Sequence, residues 1–254
     1  MVLPDRAARM MAGAASLPAT AVYTVILFTV SMTLDALGPH ARDVAVSQMS
    51  TNVHNLAHGR LATLVGSAFL NDGGDLYFWL PGLVCLLASG EMLWRSRGLI
   101  ITFAVGHIGA TLIVAVGLVA AVEAGWLPFA VARASDVGIS YGAVCILGAL
   151  TVAIPRRWRA VWAGWWLGIA AAAAVGANFT AVGHIVALLL GIGLSFRLGS
   201  IPRWTHAHVA LLIVGAAFGY CVLSGTSIIT PAGGLTGALI ALVVTRYWIA
   251  ASPV

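Results

Sequence analysis

The sequence predicts an all-α polytopic membrane helix bundle, on three observations. Of its 254 residues 61% are hydrophobic and only 8% charged, and the mean hydropathy is +1.00. Thirteen basic and eight acidic side chains are too few to coat a water-soluble body of 26.2 kDa. The apolar residues form continuous runs near the length of a bilayer crossing and do not alternate with period two, which excludes a strand barrel. Soluble-enzyme and disordered readings are excluded with it.

A helix needs about 20 apolar residues to cross the hydrocarbon. That ruler marks eight spans, at about residues 17–37, 74–94, 98–122, 138–154, 160–177, 181–198, 207–224 and 229–250. Pro231, Gly233 and Gly234 loosen the start of the last. Arg6 and Arg9 ahead of the first apolar run resemble a secretory leader, but no small-x-small cleavage site follows, so an uncleaved first span is expected. An even number of spans puts both ends on one side. Arg6, Arg9, Arg95, Arg97, Arg156, Arg157, Arg159, Arg197, Arg203 and Arg246 sort to that side, against Arg42, Arg60 and Arg133, so cytoplasmic termini are expected.

The net charge of +5 comes from arginine alone, since the chain has no lysine. It sits in short clusters at span ends, such as Pro155-Arg156-Arg157-Trp158-Arg159, where topology and lipid headgroups account for it. A nucleic-acid partner is not expected; the lipid bilayer is. Cys85, Cys145 and Cys221 each lie in apolar stretches without ligand spacing, so no metal and no disulfide is expected.

One connection differs from the rest. More than thirty residues, about 38–73, separate the first two spans and contain His40, Asp43, His54, Asn55, His58, Arg60, Asn71 and Asp72. Long loops in compact proteins are usually functional. Its half-apolar segment, Leu61 to Leu70, is too short to span, so it lies in the interface or folds back against the bundle.

Two motifs could carry chemistry. Gly138-Ile139-Ser140-Tyr141-Gly142 opens the fourth span and Gly183-His184-Ile185-Val186-Ala187 opens the sixth. Both spans start on the same expected side, so Ser140 and His184 fall at similar depth, at about 1.5 Å per residue. A serine hydroxyl is a poor nucleophile until a base takes its proton, and histidine suits that work near neutral pH. Gly138 with Gly142, and Gly183 with Ala187 and Gly191, provide the small-xxx-small spacing that lets helices approach. Against this stand blander readings. A lone membrane serine usually bonds the carbonyl a turn earlier, and His107, within the third span, shows no evident partner in the sequence. Asp35 and Glu123 suit solvated helix ends, His206 and His208 suit interface solvation, and Glu91 with Arg95 has the spacing of an ordinary ion pair.

The order of a long loop, a Gly-x-Ser motif at the fourth helix and Gly-His-x-x-Ala-x-x-x-Gly in the sixth resembles the rhomboid intramembrane serine proteases. Gly59-Arg60-Leu61 through Leu70 is similar to the first-loop segment of that family, and Glu91, Arg95 and Gly98 are similar to its acidic-basic-Gly signature. Asn52-Val53-His54-Asn55-Leu56 is similar to diverged rhomboid-like proteins of actinobacteria, and an all-arginine, alanine-rich composition suits a GC-rich genome. The resemblance covers about residues 15–200. It implies a rhomboid-like six-helix core within residues 1–200 and two additional C-terminal transmembrane helices within 201–254.

It further implies a serine endopeptidase of the bacterial plasma membrane that acts on single-span proteins, with Ser140 as nucleophile, His184 as base and no cofactor. Gly138, Asn71, Asp75, Trp79 and Tyr141 are the expected oxyanion or site-lining residues. Departures from the pattern motivate an alternative. Where the family has a His and an Asn on the second helix, this chain has Asp75 and Trp79, and losing one oxyanion donor costs about 10² to 10³ in rate. The aromatic residue that packs on the family's imidazole is here Val144, with Tyr141 the candidate substitute. The alternative is a pseudoprotease that binds membrane helices as clients without cutting them. A transporter is disfavoured, because the spans show no internal repeat and little charge at mid-depth.

Overall fold

The computed structural model describes residues 16–71, 76–134, 139–175, 179–199, 204–225 and 227–251. All regular structure among them is helical. Helix α1 spans Pro18–Leu37, and the long connection that follows folds into α2 (Pro39–Met49), α3 (Val53–Ala57), α4 (Thr63–Gly66) and a 3₁₀ turn at Ser67–Phe69. Helix α5 (Leu76–Ala104) runs through a π turn (Val105–Gly109) into α6 (Ala110–Glu123). The central α7 (Ser140–Ala149) ends in a 3₁₀ turn, and α8 (Arg159–Ala174), α9 (Phe179–Ser195), α10 (His206–Ser224) and α11 (Thr230–Ala251) complete the bundle. Pro18–Leu37, the run Leu76–Glu123 and His206–Ser224 are long and apolar enough to cross a membrane. The chain is therefore a polytopic membrane helix bundle.

Helix α5 is two rods. Arg95 has φ 59° and ψ 174°, outside helical geometry. Leu99 and Trp94 pack over Gly90. Nine residues of straight helix would separate Gly90 from Leu99 by about 13 Å, so the chain doubles back at Arg95, matching the break expected between the second and third spans.

That break also explains Glu91. The carboxylate is buried and accepts from the backbone N–H of Ala19 (2.9 Å) and Thr20 (2.8 Å) and from the Ser96 hydroxyl (2.6 Å). The N-terminus of α1 carries Pro18 in its first turn and no side-chain cap of its own. Glu91 supplies the cap from another element, satisfying orphan amides and the positive end of the helix dipole. The expected ion pair with Arg95 is not formed, because the chain leaves the helix at Arg95 and loses the register that an i, i+4 pair requires.

The half-apolar loop segment folds back against the bundle. The Tyr23 hydroxyl of α1 donates to the Ala68 carbonyl at 2.6 Å, and the Tyr23 ring packs on Phe69 and Phe103 at 5.2 Å each. Asn52 caps α3 through Asn55 N–H, and buried Asn55 donates to the Ser47 and Ser50 carbonyls. The loop thus pairs its buried Asn55 within itself.

Helix α7 is the core of the bundle, with every residue from Tyr141 to Ala149 buried. Its contact with α9 is backbone on backbone. A Cβ on Gly191 would lie 2.0 Å from the Cys145 carbonyl oxygen, and one on Gly148 would lie 2.5 Å from that of Leu188. Only glycine permits this approach, and it brings the openings of the two motif-bearing helices together. Of the last two helices, α10 packs on α5 through Gly215 against Leu86, and α11 packs on α8 through Gly233 and Gly237 against Gly168 and Gly164.

Candidate functional site

The two sequence motifs lie where α7 and α9 begin. Ser140 is the first residue of α7 and is partly buried. The Ala143 N–H donates to the Ile139 carbonyl at 3.0 Å, so the Ser140 N–H lies in the open first turn, at the positive end of the helix. His184 is the sixth residue of α9, one turn and a half inside its start.

Tyr141 links the two. A Cβ on Gly183 would lie 2.3 Å from the Tyr141 ring, so the ring fills the space that glycine leaves. It then meets the His184 imidazole edge to face, with ring centroids 5.5 Å apart. Val144, one turn further on, is buried in the core. The aromatic neighbour of the imidazole is therefore the residue next to the serine, on the same helix.

No hydrogen bond joins Ser140 to His184. The imidazole Nε2 is buried and has no partner among the described residues. Such a nitrogen can accept a proton when the ring carries its own on Nδ1, and catalytic hydrogen bonds are often long or open before substrate arrives. The remaining expected residues divide. Asn71 follows the Ser67–Phe69 turn and is partly buried. Trp79 stacks on Phe218 of α10 with centroids 6.4 Å apart, and among the described residues no ring contact or hydrogen bond links it to Ser140 or His184. Gly138 and Asp75 lie outside the described residues.

A polar centre that the sequence reading did not assemble lies at the π turn Val105–Gly109, whose Gly106 packs against Tyr141 and Cys145 of α7. Buried Ser67 is hydrogen-bonded to His107 Nε2 at 3.1 Å and accepts from the Thr51 hydroxyl at 2.8 Å. His107 drew attention as an ionisable residue inside a span, but Thr51 and Ser67 sit in the loop at spacings that carry no signal. Only the fold-back of the loop brings the three together.

A glycine-sutured helix pair, with a serine opening one helix and a histidine near the start of the other, defines a class of intramembrane helix assembly. The family model described as rhomboid-like protein matches residues 14–198, and the chain belongs to that family. A search of curated proteins and a search of solved structures each return no match.

Proposed function

We propose that this protein is a rhomboid-like intramembrane serine endopeptidase of the bacterial plasma membrane, with cytoplasmic termini, that cleaves single-span membrane proteins. The observation that carries the reading is the Tyr141 contact with His184. It sets the residue next to Ser140 against an imidazole whose Nε2 is buried and has no partner among the described residues.

In this mechanism the Ser140 hydroxyl attacks the scissile carbonyl while its proton passes to His184 Nε2. The tetrahedral oxyanion forms beside the first turn of α7, whose amide N–H groups and dipole favour negative charge. His184 then gives the proton to the departing amine, leaving an acyl ester on Ser140. Water, deprotonated by His184, attacks that ester, and the proton returns to Ser140 as the acid leaves. Tyr141 holds the imidazole plane throughout, a role suited to edge-to-face packing.

The test is cleavage of a single-span substrate in proteoliposomes holding the full chain. Activity lost in both Ser140→Ala and His184→Ala supports the proposal. Capture of the substrate without cleavage, unchanged in both variants, supports the client-binding alternative instead.

A further inference from the structure

Two recesses of opposite character meet at α3. On one side an open pocket of about 460 Å³ is lined mostly by polar and charged residues, among them Asp43, Asn52, His54 and Arg133. On the other a groove of about 180 Å³ runs along the end of α6, lined by Leu118, Val119, Val122 and Phe129, with Glu123, the last residue of the helix, also on its wall. Val53 lines the groove, while its sequence neighbours Asn52 and His54 line the pocket. The 3₁₀ turn Phe129–Arg133 joins the two in the same way, with Phe129 on the groove and Arg133 on the pocket.

The bilayer decides what fills the groove. It continues a face of α6 on which Ile113, Val116 and Val119 are exposed, and in a polytopic membrane bundle such a face is covered by acyl chains, which are as apolar as the side chains they meet. Just beyond the end of α6, Trp126 is 81% exposed and Phe129 71%. Exposed aromatic rings at a helix end mark the headgroup level. A lipid whose chain lies in the groove therefore brings its headgroup to the mouth of the pocket.

The charges around α3 select the headgroup. Arg133 is exposed, and among the described residues its guanidinium has no hydrogen bond or ion pair. Its charge and that of Arg60 both act on His54, and Arg60 is held in place by the side-chain oxygens of Gln48 and Asn55. Asp43 is also without an ion pair among the described residues, since Arg42 beside it pairs with Asp35. Two guanidinium groups thus face two carboxylates, Asp43 and Glu123, across the junction. A phosphate fits the planar fork of Arg133 and can accept from a neutral imidazole N–H of His54, but a headgroup carrying only negative charge would also meet the carboxylates. A choline headgroup has no N–H for Asp43. A primary ammonium next to the phosphate satisfies both signs. We propose that this junction binds a phospholipid with an ethanolamine headgroup, its phosphodiester on Arg133 and His54, its ammonium on Asp43 and one acyl chain along Val119 and Phe129.

The test uses the delipidated full chain in detergent, titrated with phosphatidylethanolamine, phosphatidylcholine or phosphatidylglycerol of matched acyl chains, with retained lipid counted by native mass spectrometry. Phosphatidylethanolamine should bind about tenfold more tightly than either of the others, the worth of one hydrogen bond to a charged group. Arg133→Gln should weaken its binding by about the same factor. Asp43→Asn should let phosphatidylglycerol bind as well as phosphatidylethanolamine. Val119→Trp, which fills the groove and leaves both charges in place, should also weaken retention. All three positions are exposed, so the fold does not depend on them, and circular dichroism checks that it is kept. Equal retention of the three lipids, preference for phosphatidylglycerol in the unaltered protein, or a preference unchanged in all three variants would overturn the proposal. So would displacement of the lipid by an equal concentration of chain-free glycerophosphoethanolamine, which would remove the groove from the site.

Discussion

Replacing Glu91 by alanine removes the acceptor for three donors at once: the Ala19 and Thr20 amides and the Ser96 hydroxyl. Loss of a helix cap alone costs about 0.5–2 kcal/mol. Thr20 is 4% exposed, so water does not replace the lost partner, and an orphaned buried donor adds about 1–3 kcal/mol. Ala19 is less buried, and its amide recovers some solvent. The expected destabilisation is about 3 kcal/mol, roughly a hundredfold in the folding constant by the usual 1.4 kcal/mol per decade. Glu91→Gln keeps one carbonyl oxygen for one amide and should cost about half as much. Reversible unfolding in mixed micelles, followed by circular dichroism, measures both. Arg95 provides the discriminating control. If Glu91 acted through an ion pair, Arg95→Gly would be about as harmful as Glu91→Ala. As a cap it does not need Arg95, and glycine relieves a residue held at φ 59°, so Arg95→Gly should be neutral or stabilising by about 1 kcal/mol. A loss under 0.5 kcal/mol in Glu91→Ala, or equal losses at both positions, would refute the reasoning.

Gly191→Ala places a methyl 2.0 Å from the Cys145 carbonyl and should cost at least about 2 kcal/mol, whereas Gly193→Ala meets nothing within 4 Å and should gain up to about 1 kcal/mol; the same unfolding assay separates them. Tyr141→Leu leaves Ser140 and His184 in place but removes a ring pair worth about 0.5–1.5 kcal/mol. Turnover in proteoliposomes should fall by up to about tenfold without being abolished, and an unchanged rate would remove Tyr141 from the mechanism. In the loop, desolvation first, and then His58, Arg133 and Arg60, hold His54 below its ordinary value of 6.5. The unfolded chain therefore takes up that proton first, so the contribution of His54 to stability is complete above about pH 6.5 and declines as pH falls below it. Histidine NMR should show His54 titrating lower than in a model peptide, and Arg133→Gln should move it upward; a midpoint at or above 6.5 would contradict this.

Much of this architecture is legible in the sequence because a membrane imposes length and composition on every element. The runs that became α1, α5, α6 and α10 could be marked with a ruler, and the small residues of the sixth span pointed to the close contacts at Gly183 and Gly191, whereas Gly142 packs against Phe103 instead of α9. Tyr141 as the aromatic neighbour of His184 was also within reach, since it follows the serine directly. What stayed hidden depends on where the chain turns back. Glu91 and Arg95 share the spacing of a helical ion pair, and only the backbone break reveals the carboxylate as a cap for a helix 71 residues away in sequence. The partner of His107 lies 40 residues earlier, in a loop whose fold-back rests on the Tyr23 hydroxyl, and no periodicity encodes that meeting. Trp79 was named for its match to a family position, and its stacking on Phe218, in a helix beyond the six-helix pattern, carried no signal in the sequence.

The most direct measurement is reaction of the full chain in proteoliposomes with a fluorophosphonate, followed by mass spectrometry of the modified peptide. A serine paired with a usable base forms a covalent phosphonyl ester, and a serine without one does not. The account predicts an adduct on Ser140 that disappears in His184→Ala while the protein remains folded. Persistence of the adduct in His184→Ala, or the absence of any adduct on Ser140 in the unaltered protein, would contradict it.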